Sequence, residues 1–194
     1  MTKQNLRYFL PPLTLIILLF AIDIFYLSPT LPQSPATFPS FRTRDLNGQE
    51  YDESLFHGHL TLVCLWVTKD DSSAEILEAL AAWQQTEENS IQLVGLVGDL
   101  KDDAPADKIA KAKSMTRNLP SSFPQLLTND SLFPFLSTIK STPTFVFVNN
   151  QGQITGQPVA GWEIRLIKKE ARRILSAGSP ETQQKNHLQS QLMR

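Results

Sequence analysis

One stretch of the sequence limits the possible folds more than any other: residues 60–80, which read LTLVCLWVTKDDSSAEILEAL. Its first eight residues are apolar or β-branched almost without interruption, a pattern typical of a strand that is covered on both faces. Apolar side chains then recur at helical spacing, and Ser72 and Glu75 have the spacing of a capping box. The stretch therefore predicts a buried strand, a polar turn and a helix that begins near Ser72 or Ser73.

The turn between this strand and this helix carries two carboxylates, Asp70 and Asp71. A helix N-terminus presents unpaired backbone amides and the positive end of the helix dipole, which together favour a negative charge there. Capping of the helix is the simplest role for these side chains, and contact with a ligand is the alternative. Acid or base catalysis is disfavoured, because no nucleophile or histidine accompanies the two residues.

The surrounding sequence supplies the other elements of an α/β domain over residues 38–177. Residues 91–97 form a second apolar run, which predicts a β-α-β unit with parallel strands. The Asn47-Gly48 pair predicts a hairpin over residues 41–51. The remaining predictions are an acidic loop over 99–103, a helix over 106–115, a short segment at 125–128, an antiparallel pair over 144–148 and 153–159, and a helix over 162–177.

The last of these helices is predicted to be amphipathic. Its apolar side chains should face the sheet, and they are Ile164, Ile167, Ala171, Ile174 and Leu175. Its basic side chains should face outward, and they are Lys168, Lys169, Arg172 and Arg173.

Residues 65–73, LWVTKDDSS, resemble the active-site turn of the thioredoxin-like family, in particular the membrane-anchored thiol-disulfide oxidoreductases of the TlpA and ResA type. In these proteins the turn reads roughly F-W-A-T-W-C-P-P-C. Three further segments match: the hairpin, S-T-P-T-F at 141–145, whose proline is cis in the family, and N-N-Q-G at 149–152 with Gly161 behind it. The resemblance spans residues 38–176 and implies an α/β thioredoxin-like fold, a central mixed β-sheet flanked by helices.

The same alignment departs from the family at the two residues that carry its chemistry. The positions of the two cysteines are occupied by Asp70 and Ser73. Thiol-disulfide exchange needs one thiolate to attack and a second thiol to resolve the mixed disulfide, and these side chains do neither. We therefore expect no catalytic residue at this turn and no cofactor.

A binding surface can persist without the two thiols. In the family, the residue before the cis proline pairs with the backbone of a bound substrate, which carries over to Thr142 and Pro143. The predicted binding residues are these two together with Trp66, Asp70 and Asp71. The predicted function is a redox-inactive binding or scaffold module, whose partner is an extracytoplasmic or membrane protein or peptide.

Cys64 is the only cysteine in the sequence, which excludes an intrachain disulfide. It lies mid-strand on the same face as Leu62 and Trp66, so its side chain should be buried and inert. The alternative function is an oxidoreductase of the same family that acts through Cys64, alone or with a partner's thiol, and it requires this side chain to be exposed. A peroxide-reducing redoxin is a third possibility, and it too needs a suitably placed thiol.

Two further kinds of ligand are disfavoured by the sequence. His57 and His59 flank Gly58, but no third metal ligand lies near them in the sequence, so no metal site is predicted. The formal net charge is −1, and no basic face of the size needed to neutralise several phosphates is visible, which argues against nucleic acid.

The N-terminal residues predict attachment to a membrane. Residues 1–7 are polar and carry Lys3 and Arg7, and residues 8–27 are mostly apolar and long enough to span a hydrocarbon core of about 30 Å as a helix. No further basic residue occurs before Arg42, so the positive-inside rule places residues 1–7 in the cytoplasm and the remainder outside. The alternative is a cleaved signal peptide, with a poor cleavage site at Ser34-Pro35-Ala36.

This interpretation divides the chain into five parts. A cytoplasmic N-terminus (1–7) precedes a transmembrane anchor (8–27) in the cytoplasmic membrane. A proline-rich spacer (28–37) then leads to the domain (38–177), which lies on the extracytoplasmic side, and a polar, Gln-rich tail (178–194) without periodicity follows.

Overall fold

The computed structural model describes residues 36–86 and 91–177. The predicted N-terminus, the anchor at 8–27, nearly all of the spacer and the tail at 178–194 lie outside the described residues. Within the described ranges, no helix combines the length and the apolar character that a membrane crossing requires.

The elements follow the predicted order with small changes in their bounds. The strands are β1 (Arg42–Arg44), β2 (Glu50–Asp52), β3 (Leu60–Trp66), β4 (Ile91–Lys101), β5 (Gln125–Thr128), β6 (Thr144–Val148) and β7 (Ile154–Ala160). The α-helices are α1 (Ser73–Thr86), α2 (Ala106–Met115), α3 (Phe133–Leu136) and α4 (Ile164–Ala177), and short 3-10 helices cover Glu53–Phe56 and Asp130–Leu132.

The sheet is mixed and has β3 at its centre. Its five strands lie in the order β5-β4-β3-β6-β7, with β3 parallel to β4 and antiparallel to β6. The predicted β-α-β unit and the predicted antiparallel pair are both confirmed. The hairpin is confirmed as well, since β1 and β2 pair around a turn in which Gly48 has a φ of +89°.

Each face of the sheet buries its own apolar cluster. Side chains from α1 and α4, such as Leu77 and Ile167, pack on one face against Cys64 and Trp66 of β3. The other face is covered by phenylalanines from the N-terminal segment and the 3-10 and α3 region, which pack on Val63 and Leu65. The alternation along β3 therefore sends side chains into both clusters, which explains why its sequence is apolar throughout.

Residues 125–128, predicted only as a short segment, are an edge strand of the sheet. Two details of the predicted elements were wrong. Residues 99–101 belong to β4 and not to an acidic loop, because β4 continues past an irregularity after Val97 to pair Lys101 with Thr128 of β5. Leu175 of α4 is 36% exposed and not packed on the sheet. Four residues are slightly more than one helical turn, so a stripe with this spacing moves around the helix and brings Leu175 toward solvent.

Candidate functional site

The turn between β3 and α1 is held together by the two side chains at the aligned cysteine positions. Asp70 Oδ1 accepts hydrogen bonds from the Ser72 backbone amide at 3.2 Å and from the Ser72 hydroxyl at 2.6 Å. Ser73 donates its backbone amide to the Asp70 carbonyl at 3.0 Å and its hydroxyl to the Val67 carbonyl at 3.2 Å. Helix α1 begins at Ser73, as predicted, and Asp70 places its carboxylate at the start of the helix.

A second carboxylate fixes the beginning of the same turn. Asp99 of β4 accepts the Thr68 backbone amide on Oδ1 at 2.9 Å and the Thr68 hydroxyl on Oδ2 at 2.8 Å. Asp99 was not predicted as part of the site, because its acidic neighbours indicated a loop. The available signal was its position at the carboxyl end of a strand parallel to β3, since the ends of parallel neighbours lie at the same edge of a sheet.

Asp71 points away from the helix start. Its side chain is 90% exposed, and its Oδ1 lies 3.5 Å from Nζ of Lys111 on α2. An ion pair this exposed contributes at most about 1 kcal/mol to stability. Of the two carboxylates in the turn, Asp70 shapes the backbone and Asp71 is accessible to a partner.

Trp66 lies in the core and not at the surface of the site. Its side chain is fully buried, and its indole Nε1 donates to Gln125 Oε1 at 2.9 Å. The Gln125 amide donates in turn to the Phe123 carbonyl at 3.0 Å, so the buried polar groups are satisfied. A partner at the surface cannot reach Trp66, which corrects its assignment as a binding residue; a strand residue facing α1 is covered by that helix.

Cys64 is buried at the centre of the sheet. Its exposed fraction is 0%, and it lies between Gly95 of β4 and Phe145 of β6 in the strand register. Burial raises the pKa of the Cys64 thiol well above its ordinary value, so the thiol stays protonated at neutral pH. The expectation of a buried side chain is confirmed.

The loop before β6 lies next to the connection between β7 and α4. The Thr142–Pro143 peptide bond is cis, as the resemblance implied. Thr142 is exposed, whereas Pro143 is buried and its carbonyl accepts the Gly161 amide at 3.0 Å. This hydrogen bond places the exposed Thr142 near the residue that follows Gly161, Trp162.

Trp162 forms one wall of a surface cleft beside the turn. The cleft has a volume of about 380 Å³ and is lined by Ser72, Glu75, Ile76, Ala79, Trp162 and Ile164. Trp162 is 42% exposed, an unusual state for so large an apolar side chain. Trp162 was predicted to lie in the last helix, which in fact begins at Ile164. It was not assigned to a site, although a tryptophan outside the apolar stripe was a signal.

The described residues offer no metal site. His57 and His59 are both exposed in the loop before β3. Across residues 36–86 and 91–177, no three or more His, Cys, Asp or Glu side chains lie close enough to share a metal ion.

No protein-family model and no curated protein matches the sequence. Solved structures do match. Yeast Sco1 has a TM-score of 0.59 at 14% identity and covers 76% of this chain and 99% of its own. A putative thioredoxin from Neisseria meningitidis has a TM-score of 0.56 at 15% identity, covering 77% of this chain and 95% of its own.

A putative thiol:disulfide interchange protein DsbE from Chlorobium tepidum has a TM-score of 0.54 at 16% identity, covering 75% of this chain and 97% of its own. In each case nearly the whole of the solved chain superposes on this one, and the identity is low enough that the likeness concerns the fold. The strand order, the cis Thr142–Pro143 bond and these structures together show that the chain has the thioredoxin-like fold.

Proposed function

We propose that this chain is a binding module on a thioredoxin-like fold that does not exchange disulfides through a dithiol of its own. One observation carries the proposal: the sole thiol, Cys64, is 0% exposed, while Asp70 and Ser73 occupy the aligned cysteine positions. A thiol must be both ionised and accessible to attack a disulfide. Cys64 meets neither condition, so a function that needs no thiol fits the site better.

The surface proposed for binding comprises the cleft, the exposed Thr142 and the exposed carboxylate of Asp71. The volume of the cleft suits one or two side chains of a partner and not a large cofactor. Trp162 and Ile164 give it an apolar wall, and Glu75 gives it an exposed negative charge. The partner proposed is a protein segment that places an apolar side chain against Trp162 and a basic side chain near Glu75.

Insulin reduction tests the redox part of this proposal. The full chain should reduce insulin no faster than the buffer with dithiothreitol alone, because it has no resolving thiol. An ordinary thioredoxin in the same assay is the positive reference. A rate comparable to that reference would overturn the proposal and favour the alternative, an oxidoreductase that acts through Cys64 or a partner's thiol.

Capture of partners from membrane extracts tests the binding part. Thr142→Arg should block the surface beside the cleft and reduce recovery of a cross-linked partner at least about tenfold, because a buried interface does not accommodate a long charged side chain. Ser137→Arg, at an exposed position between α3 and the Thr142 loop, is the matched control and should leave recovery unchanged. Equal recovery with both variants contradicts the proposed surface.

The location proposed is the outer side of the cytoplasmic membrane, with residues 8–27 as the anchor. Its support is the length and apolar character of that segment in the sequence. Alkaline extraction should leave the full chain in the membrane pellet and release a chain that begins near Ser28. A mature protein whose N-terminal sequence begins at Thr37 would show cleavage and overturn the anchor.

A further inference from the structure

Helix α4 concentrates positive charge on a chain that is otherwise acidic. Its sequence, IRLIKKEARRILSA, holds five basic residues and one acidic residue, a net charge of +4. The whole chain has a net charge of −1, so the remaining residues sum to −5. The described domain therefore has one strongly basic helix, and that helix covers the edge of the sheet at β7.

The cations on α4 are only partly compensated. Lys169 and Arg172 are exposed and make no hydrogen bond or close ion pair with a described residue, although Lys169 lies near enough to Glu170 to interact with it electrostatically. Arg165 lies 4.0 Å from Glu163, the limit of an ion pair, with its own side chain 86% exposed. Arg173 is the exception, since it is bound to Glu170 at 2.7 Å.

Apolar side chains border the same basic surface. Trp162 is 42% exposed and Leu166 is 46% exposed. Trp162 lies two residues before the first residue of α4, Ile164, and Leu166 lies in the first turn of the helix beside Arg165. A basic surface with a tryptophan and a leucine at its edge has the composition of helices that lie on membrane interfaces.

The first described residue, Ala36, lies close to this helix. The Ala36 carbonyl accepts the Ile154 amide at 2.7 Å, so the domain is entered at the start of β7. Three residues further along the same strand, the Gln157 amide donates to Glu170 of α4 at 2.7 Å. Three strand residues span about 10 Å.

We infer that the outward face of α4, with Arg165, Leu166, Lys169 and Arg172, docks on the surface of an anionic lipid bilayer together with Trp162, which precedes the helix. Docking of Trp162 on a membrane and binding of a partner's side chain against it then exclude each other. Basic side chains near such a surface are attracted by its negative potential, and the two apolar side chains can enter the interface. The docked face lies near Ala36, where the described part of the domain begins. The choice of a membrane as the partner rests in part on the anchor of the proposed function; the charge and the exposed apolar side chains are independent of it.

Tryptophan quenching by brominated lipids tests this inference on the full chain. Of the three tryptophans, Trp66 and Trp83 are 0% and 5% exposed, and none lies in residues 1–35. In lipid nanodiscs, the brominated acyl chains quench only a tryptophan that contacts the bilayer. We expect the emission of Trp162 to be quenched in discs of brominated phosphatidylcholine with phosphatidylglycerol, but not in discs of brominated phosphatidylcholine alone.

Variants identify the residues responsible for this signal. Lys169→Glu with Arg172→Glu should abolish the quenching that depends on phosphatidylglycerol, and about 1 M salt should do the same because the Debye length falls to about 3 Å. Lys108→Glu with Lys113→Glu makes the same change of charge at exposed positions on α2 and should leave the quenching intact. Trp162→Phe should remove the signal altogether. Circular dichroism establishes that each variant is folded, and Lys169→Gln with Arg172→Gln replaces the reversal variant if that one is not.

Each outcome bears on one proposal. Discs that retain the chain but show no quenching with phosphatidylglycerol overturn docking and would favour an acidic protein as the partner of α4. An equal loss of quenching in the α2 control variant also overturns docking through α4, since the quenching would then depend on the net charge of the chain alone. If neutral discs do not retain the chain, the anchor fails, and sedimentation with phosphatidylglycerol vesicles decides docking: binding supports it and no binding overturns it.

Discussion

Cys64 and Asp70 lie six residues apart on the same strand-to-helix junction and have opposite surroundings. Cys64 has a strand on either side and helix α1 above it, and it is 0% exposed. Asp70 is half-buried at the start of a helix, where backbone amides favour a negative charge. A thiol is inert at the first position and would be activated at the second. Reactivity in this fold therefore depends on where a cysteine stands, and a count of cysteines does not predict it.

The first prediction places thiols in the turn, where they should create an activity that the chain lacks. Asp70→Cys with Ser73→Cys should form an intrachain disulfide and raise insulin reduction at least about tenfold over the unmodified chain. The Ser73 amide donates to the Asp70 carbonyl at 3.0 Å, which marks a four-residue turn with Cα atoms within about 7 Å, close to the range that a disulfide needs. Thiol titration and the insulin assay measure the two results.

The matched control for this variant adds Cys64→Ala. Activity should be unchanged, because Cys64 takes no part in the reaction. A folded double variant whose cysteines do not pair would show that the turn differs from the family's geometry, and the alignment of Asp70 and Ser73 with the two cysteines would then be withdrawn.

The second prediction concerns the rate at which Cys64 is alkylated. Native protein should react with a maleimide at least about a thousandfold more slowly than denatured protein, because the thiol is exposed only when the central strand opens. Raising the pH from about 7 to 9 should speed labelling of the denatured chain as an ordinary thiol ionises. Because the native thiol reacts only in the opened state, its slow labelling should accelerate by the same factor, and the ratio of the two rates should stay constant between these pH values. Fast native labelling would favour the oxidoreductase alternative.

The third prediction tests the hydrogen bonds from Thr68 to Asp99, which position the turn. Asp99→Ala should lower the free energy of unfolding by about 1 to 3 kcal/mol, because the Thr68 hydroxyl, on a side chain that is almost fully buried, loses its acceptor. Asp103→Ala, an exposed neighbour, is the control and should change stability by less than about 0.5 kcal/mol. Urea denaturation measures both, and equal losses would show that Asp99 does not hold the turn.

The smallest effect is expected from removing the charge at the turn. Asp70→Asn keeps the acceptor oxygen that binds Ser72, so only the interaction with the helix dipole, about 0.3 to 1 kcal/mol, should be lost. Asp70→Ala removes the acceptor too and should cost about 0.5 to 2 kcal/mol. If the two variants are equally stable while partner capture falls in both, the Asp70 side chain contacts the partner and does not cap the helix.

The parts of the fold that are local in sequence were predictable. The strand and helix at residues 60–80 follow from hydrophobic period, and the hairpin follows from Asn47-Gly48, because each depends on residues close together in the chain. The resemblance supplied the cis Thr142–Pro143 bond. These features needed no knowledge of distant contacts.

The details of the site were less predictable, because they depend on pairs that are far apart in the sequence. Thr68 and Asp99 are separated by 31 residues, and Trp66 and Gln125 by 59. No period or turn signal reports such a pair. The sequence therefore predicted where the turn lies, but not that Asp99 holds it or that Trp66 donates a hydrogen bond to Gln125 inside the core.

The hydrogen bond between Trp66 and Gln125 has a consequence for sequence variation in related chains. A methyl group on Gly95 would lie 1.9 Å from the Gln125 side-chain oxygen, so the glycine provides the space that the amide occupies. Residues 66, 95 and 125 stand on three neighbouring strands and should change as a set during evolution. Among homologues, a residue larger than glycine at position 95 should accompany a smaller side chain at position 125 and a different partner for the residue at position 66.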